Sequence, residues 1–275
     1  MADCNHNCES CNVENCESRT IEKVKSNELT HIKHCFAIMS GKGGVGKSLV
    51  TSLLASEMNK RGKSVAIIDA DVTGPSIPQA FGLSGRFAPS DETYIYPVLS
   101  KRGVKIMSAN LLLQDEQAPI VWRGPIVSGF VQQLYTDVVY GDVDYMFIDM
   151  PPGTGDVPLT VFQMLPIDGI VVVTSPQDLV SMVVTKSMNM AKMLMIPMVG
   201  VVENMAYLKC PNCDTKIRLF GDDLSKERIE KNGVKVLAEL PIDPDLAKLV
   251  DAGGIEEYEC KDLDKLIETI EKFER

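Results

Sequence analysis

No apolar run in this sequence approaches the roughly 20 residues needed to span a bilayer. The best candidate, Met193 to Val202, is short and is interrupted by Pro197 and Gly200. Basic charge is also scarce: 28 Lys and Arg stand against 38 Asp and Glu, a formal net charge of −10. Nonspecific nucleic-acid binding rests on neutralising phosphates with basic side chains. Neither a nucleic-acid nor a membrane partner is therefore expected. The opening MADCNHNCES has no positive region and no apolar region, and does not read as a secretory signal. There is no internal repeat and no low-complexity segment beyond the first residues. The default reading is a cytoplasmic, reducing compartment.

What is present suffices for a full core. The chain has 275 residues, 45% of them hydrophobic, enough for one large α/β domain or two small ones without disulfide staples. Eight cysteines are the unusual feature, and six of them cluster. Cys4, Cys8, Cys11 and Cys16 lie near the start, and Cys210 and Cys213 form a CxxC. Cys35 and Cys260 stand alone. In a reducing compartment such clusters read as metal or redox groups. Residues 1–33 contain few apolar side chains and read as a tail that a metal orders locally. The domain proper is expected over 34–275.

Strand and helix patterns alternate through that domain. Apolar strands are expected at 34–40, 64–71, 104–108, 145–149, 169–175, 197–203 and 234–241. Helices are expected from Lys47, over 125–140, over 178–195 and over 262–273. The CxxC is placed in a loop after the 197–203 strand. Such alternation implies βαβ crossovers and an α/β fold with a mainly parallel, twisted sheet flanked by helices. The methionines between Met182 and Met205 read as core packing. So does the apolar face Leu263, Leu266, Ile267, Ile270 and Phe273 of the last helix. Its polar face is too acidic for membrane attachment.

Residues 41–48 read GKGGVGKS, a G-x-x-x-x-G-K-[ST] loop between a strand and a helix. Gly41, Gly43, Gly44, Val45 and Gly46 supply backbone amides for phosphate oxygens. Lys47 is expected at the β- and γ-phosphates of ATP and Ser48 on Mg²⁺. Lys42 adds a second lysine. In this it resembles the deviant Walker A ATPases, a MinD/ParA-like P-loop superfamily that includes the nitrogenase iron protein and cell-division, partition and targeting ATPases. The resemblance implies that Lys42 reaches the partner's nucleotide across a dimer. It also puts Asp71 at the switch I position that orients the attacking water, with Asp69 supporting Mg²⁺. Asp149 ends the strand YMFID as a Walker B acid would, and Gly153 in PPGTGD has an amide suited to the γ-phosphate. Asn204 resembles the family's adenine-contacting asparagine. PIDPDL (241–246) reads either as a base-side segment or as a turn opening a helix.

DMPPGTGD, VVENMAYLKCPNC and WRGP (122–125) together resemble one branch, the Mrp/Nbp-type iron–sulfur cluster carrier ATPases, from His34 to the end. The resemblance implies an ATP-hydrolysing carrier that delivers 4Fe–4S clusters to apo-proteins. It also implies that Cys210 and Cys213 share one cluster with the same pair of a second copy. Four thiolates across a dimer suit Zn²⁺ as well as iron, so a zinc-bridged targeting or partition ATPase is the alternative. The tail spacing C-x3-C-x2-C-x4-C departs from the longer first gap of eukaryotic members. Its four cysteines suffice for a second cluster. Cys35 reads as a buried hydrophobe, and Cys260 carries no assigned role.

Overall fold

The computed structural model describes residues 23–72, 74, 76–112, 124–176, 180–210, 212–213, 215–219 and 233–273. The four N-terminal cysteines, and Trp122 and Arg123 of the WRGP segment, lie outside these residues. Among the described residues, nine strands form one sheet: β1 (His31–Met39), β2 (Val65–Asp69), β3 (Val98–Leu99), β4 (Lys105–Ser108), β5 (Asp142–Asp149), β6 (Gly169–Thr174), β7 (Met198–Lys209), β8 (Lys216–Ile217) and β9 (Val236–Ile242). The order is β3-β4-β2-β5-β1-β6-β7-β8, with β9 also paired to β7. The short β3 and β8 run antiparallel to their neighbours, and the other described strands pair in parallel. The central strands are fully buried, which explains their near-continuous apolar sequences.

Each face of the sheet has its own core. One joins Phe36, Ile38 and Ile67 to helix α1 (Lys47–Lys60) and the C-terminal helix Asp264–Glu271. The other joins Cys35, Ile68 and Met146 to α3 (Gly124–Thr136), α4 (Asp156–Met164) and α5 (Val180–Met193). A four-residue helix α2 (Ile77–Ala80) packs beside α1. Val50, Leu53, Leu54 and Met58 place the helical repeat of α1 in the core. The apolar face of the C-terminal helix packs as the sequence suggests: Leu266, Ile267 and Ile270 are fully buried, and Phe273 meets Phe36 edge-on at 5.4 Å.

Three features differ from the sequence reading. β1 starts at His31, and residues before it already belong to the fold. The Val24 amide donates to the Met164 carbonyl, and Asn27 donates to the carbonyls of Thr136 and Val138. β7 extends to Lys209, six residues beyond its apolar segment, because β9 keeps pairing with it at Tyr207 and Leu208. Polar Glu203 and Asn204 hide that continuation in the sequence. Among the methionines, Met188 and Met190 are buried as expected, but Met193 and Met195 are 77% and 90% exposed. They lie at the end of α5 and in the turn after it, where Met195 has φ 54.

Parallel strands bring their carboxyl ends to one edge. β1 pairs with β5 on one side and β6 on the other, so the strand order reverses there. Such a switch point opens the crevice in which open α/β sheets bind ligands. The ends of β1, β2, β5 and β7 supply the site.

Candidate functional site

The turn from β1 into α1 carries the glycine loop. Gly44 and Gly46 both have φ 80, a left-handed conformation that glycine adopts without strain. Gly46 is constrained twice, since a Cβ there would lie 2.2 Å from Asn204 Nδ2. The loop walls a cavity of about 250 Å³ lined by Ser40, Gly43, Gly44, Gly46, Lys47, Ser48, Leu49, Asp71, Ser76 and Pro152. With loop amides, a helix N-terminus and a lysine around it, this cavity is suited to phosphate. Lys42 is exposed, and the Ser40 hydroxyl donates to the Lys42 carbonyl.

Beneath the cavity lies a dense polar network. Asp149 is fully buried and accepts from Lys47 Nζ at 2.6 Å, Ser48 Oγ at 2.6 Å and Thr51 Oγ1 at 2.7 Å. Asp71 Oδ2 lies 3.7 Å from Lys47 Nζ and borders the cavity. The Lys47 ammonium is thus held between two carboxylates at the phosphate cavity. Thr51 escaped the sequence reading, although its spacing of four from Lys47 puts it on the same side of α1.

Asp69 is placed differently from its expected role beside Mg²⁺. It is 1% exposed and does not line the cavity. It accepts from Ser108 Oγ and the Asp71 amide, both at 3.2 Å. In register it pairs directly with Asp149 across β2 and β5. Burial, then repulsion from Asp149, pushes its carboxyl up to about 8. Asp69 therefore acts as a buried, proton-holding brace of the strand ends. Gly153 also departs from expectation: its amide donates to the Ser40 carbonyl at 2.8 Å. That bond must open before the amide meets a phosphate. Asp156 begins α4 and does not line the phosphate cavity.

Asn204 was expected at the base edge. It is 3% exposed beneath the loop, with Nδ2 donating to the Val45 carbonyl at 2.9 Å. Its amide nitrogen is committed to bracing the loop. The PIDPDL segment opens a helix, the second of its two readings. Asp243 caps the helix Pro244–Asp251 by accepting from the amides of Asp245 and Leu246. Burial pushes the Asp243 carboxyl up, but the Tyr258 hydroxyl and those two amides outweigh it and hold the group below its usual range. Pro241 to Asp245, with Leu208 and Lys209, also line a largely apolar cavity of about 500 Å³.

The same end of β7 carries Cys210 and Cys213, in the expected connection, which leads from β7 into β8. β7 and β8 pair antiparallel at Leu208–Ile217 and Lys209–Lys216, and the Cys210 amide donates to the Thr215 carbonyl at 3.0 Å. Arg218 ties the returning strand to Glu239 of β9 at 2.9 Å. Lys216 Nζ lies 4.0 Å from the centre of the Tyr207 ring. Cys213 is exposed, with its sulfur 3.2 Å from Thr215 Oγ1. Hydrogen bonds from Thr215, then from Cys210, hold the Cys213 thiol below its ordinary value. Thr215 is a second partner that sequence reading missed, because its role depends on the hairpin. Cys35 and Cys260 are buried, and burial raises the Cys260 thiol to about 12. Among the described residues no group of three or more His, Cys, Asp or Glu is arranged to hold a metal ion. One chain therefore presents two thiolates at the hairpin.

A glycine loop between a buried strand and helix, with a strand-end aspartate bonded to its lysine and serine, defines a P-loop NTPase. The ParA family model, described as NUBPL iron-transfer P-loop NTPase, matches residues 31–273. The chain belongs to this family. An iron-sulfur cluster carrier protein of Clostridium perfringens is 43% identical over 235 residues, covering 83% of this chain and 82% of that one. One from Methanocaldococcus jannaschii is 40% identical over 260 residues, covering 92% and 90%. A nucleotide-binding protein from Archaeoglobus fulgidus, solved in complex with ADP, superposes with a TM-score of 0.76 at 43% identity, covering 89% and 93%. The cell-division ATPase MinD of Pyrococcus furiosus shares the fold at 20% identity, with a TM-score of 0.63 and coverage of 88% and 100%. These relatives favour the cluster-carrier reading over a zinc-bridged targeting or partition ATPase.

Proposed function

We propose that this chain is an ATP-hydrolysing carrier that holds an iron–sulfur cluster as cargo and delivers it to apo-proteins. The observation that carries this reading is a phosphate loop and an exposed CxxC hairpin in one fold, connected by strand β7. The relatives named as cluster carriers support it.

The loop amides and Lys47 hold the phosphates. Ser48 and Asp149 offer hard oxygen donors 2.6 Å apart, a set that fits Mg²⁺ with its waters. Such an ion, held there with the nucleotide, would supply positive charge against the charge developing on the phosphate oxygens. Asp71, at the cavity wall, orients the water that attacks the γ-phosphorus. The bond to the β–γ bridging oxygen breaks, and ADP and phosphate leave. A second copy supplies Lys42 to the transition state, by the same logic as an arginine finger.

Two thiolates per chain do not complete the four ligands of a 4Fe–4S cluster. A two-fold homodimer supplies the other two through its own Cys210 and Cys213. The exposed hairpin suits cargo that must leave. Cys4, Cys8, Cys11 and Cys16 form a second site within one chain. The protein acts in the cytoplasm; no helix among the described residues is long and apolar enough to cross a membrane.

Anaerobic purification with iron, sulfide and zinc analysis tests the assignment, followed by transfer to an apo-ferredoxin. Iron and sulfide should persist when the tail is deleted, and the transferable fraction should vanish in Cys213→Ala. Stoichiometric zinc without sulfide would overturn the reading.

A further inference from the structure

The structure links the two halves of the proposed site through one short stretch of β7. At its start, Asn204 Nδ2 donates to the Val45 carbonyl and occupies the space where a Gly46 Cβ would sit. Loop and amide pack without slack, so the Val45–Gly46 backbone cannot shift without moving Asn204 or breaking its bond. At its end, the strand runs straight into Cys210. There the hairpin is closed by the Cys210–Thr215 backbone bond and anchored by Arg218 to Glu239. The two ends are six residues apart, about 20 Å of extended strand.

Between them lies one irregularity. Met205 has φ 58, a left-handed backbone at a non-glycine residue inside a strand. The β7–β9 register shifts between Glu203 and Tyr207, across that same residue. A bulge of this kind bends a strand and re-aims the residues beyond it. Strained residues of this sort gather at switch regions, where the surroundings hold them in place. Beyond the bulge, Tyr207 and Leu208 again pair with Pro241 and Ile242. The hairpin thus moves with the distal half of β7, and the loop with the proximal half.

We propose that Asn204 and Met205 form the coupling joint of the molecule. Asn204 reads the state of the phosphate loop through the Val45 carbonyl. The Met205 bulge converts that reading into a change of hairpin position, and so of access to Cys210 and Cys213. Both are positioning residues. The inference rests on nucleotide binding at the loop and is independent of which metal the cysteines carry.

The test uses the full-length protein with its thiols reduced. Alkylation of Cys210 and Cys213 by N-ethylmaleimide is followed by peptide mass spectrometry, without nucleotide, with ADP and with a non-hydrolysable ATP analogue. In the wild type, nucleotide should change the alkylation rate by about fivefold or more, the low end of common coupling factors. Met205→Gly accepts the left-handed backbone without strain. It should fold, bind nucleotide and hydrolyse ATP as the wild type does, while its nucleotide effect falls to less than about twofold, below that coupling range. Asn204→Ala provides a second variant, and its nucleotide effect should also be lost at saturating nucleotide. A wild type whose thiols ignore bound nucleotide would overturn the proposal. So would a Met205→Gly protein that keeps the full effect, since closure of a dimer over the hairpin would then suffice. Neither result bears on whether the cysteines carry a cluster, which metal analysis decides separately.

Discussion

Asp69 and Asp149 end neighbouring strands in direct register, so two carboxylates share one buried edge. Lys47, Ser48 and Thr51 all bond Asp149, while Asp69 has only a hydroxyl and an amide. The proton therefore stays on Asp69. Between the ordinary carboxyl value of 3.8 and about 8, the unfolded chain has released that proton and the folded chain has kept it. The folded state then binds more protons, so stability falls as pH rises through this window and levels off above it. Urea unfolding of the metal- and nucleotide-free protein at about pH 5 and about pH 8 measures the effect. Asp69→Asn should flatten the fall between the two; parallel behaviour of variant and wild type would remove the proton from Asp69. Sequence reading placed Asp69 at the right strand end and did not foresee its bracing contacts with Ser108 and the Asp71 amide. Ligand and brace differ only in which way the carboxylate faces, and that is set by packing against Ser108.

Elements were legible where one face carried a strong apolar repeat. The C-terminal helix was plain from Leu266, Ile267 and Ile270, all of which are fully buried. Ile267→Ala should cost about 2–5 kcal/mol, read as a lower urea midpoint, with nucleotide affinity little changed because the helix lies away from the loop. A loss of nucleotide binding in step with stability would mean that the helix supports the loop directly. β7 was legible only in its first half. Its second half is held by Pro241 and Ile242, more than thirty residues on, and no local pattern announces that pairing. The same reason hid Thr215, whose contact with Cys213 exists only once the hairpin closes.

At the scale of the whole molecule, the proposed homodimer gives both Lys42 and Cys213 a role across its two-fold seam. If Lys42 acts in trans, Lys42→Ala and Asp71→Asn should each be inactive alone. Mixed, they should recover about a quarter of the wild-type hydrolysis rate. Half of the randomly formed two-fold dimers then hold both variants, and each of these has one complete site. No recovery on mixing, with subunit exchange verified, would place Lys42 in its own site. The amino-acid sequence by itself determined the class of fold, the phosphate loop, the strand-end aspartates and the two thiolates, because each depends on residue types at short fixed spacing. Only the tertiary structure decided that Asp69 faces inward, that Asn204 braces the loop and that a strained bulge stands between loop and cysteines. Those outcomes depend on which distant strands meet, and on the burial that their meeting imposes on the polar groups between them.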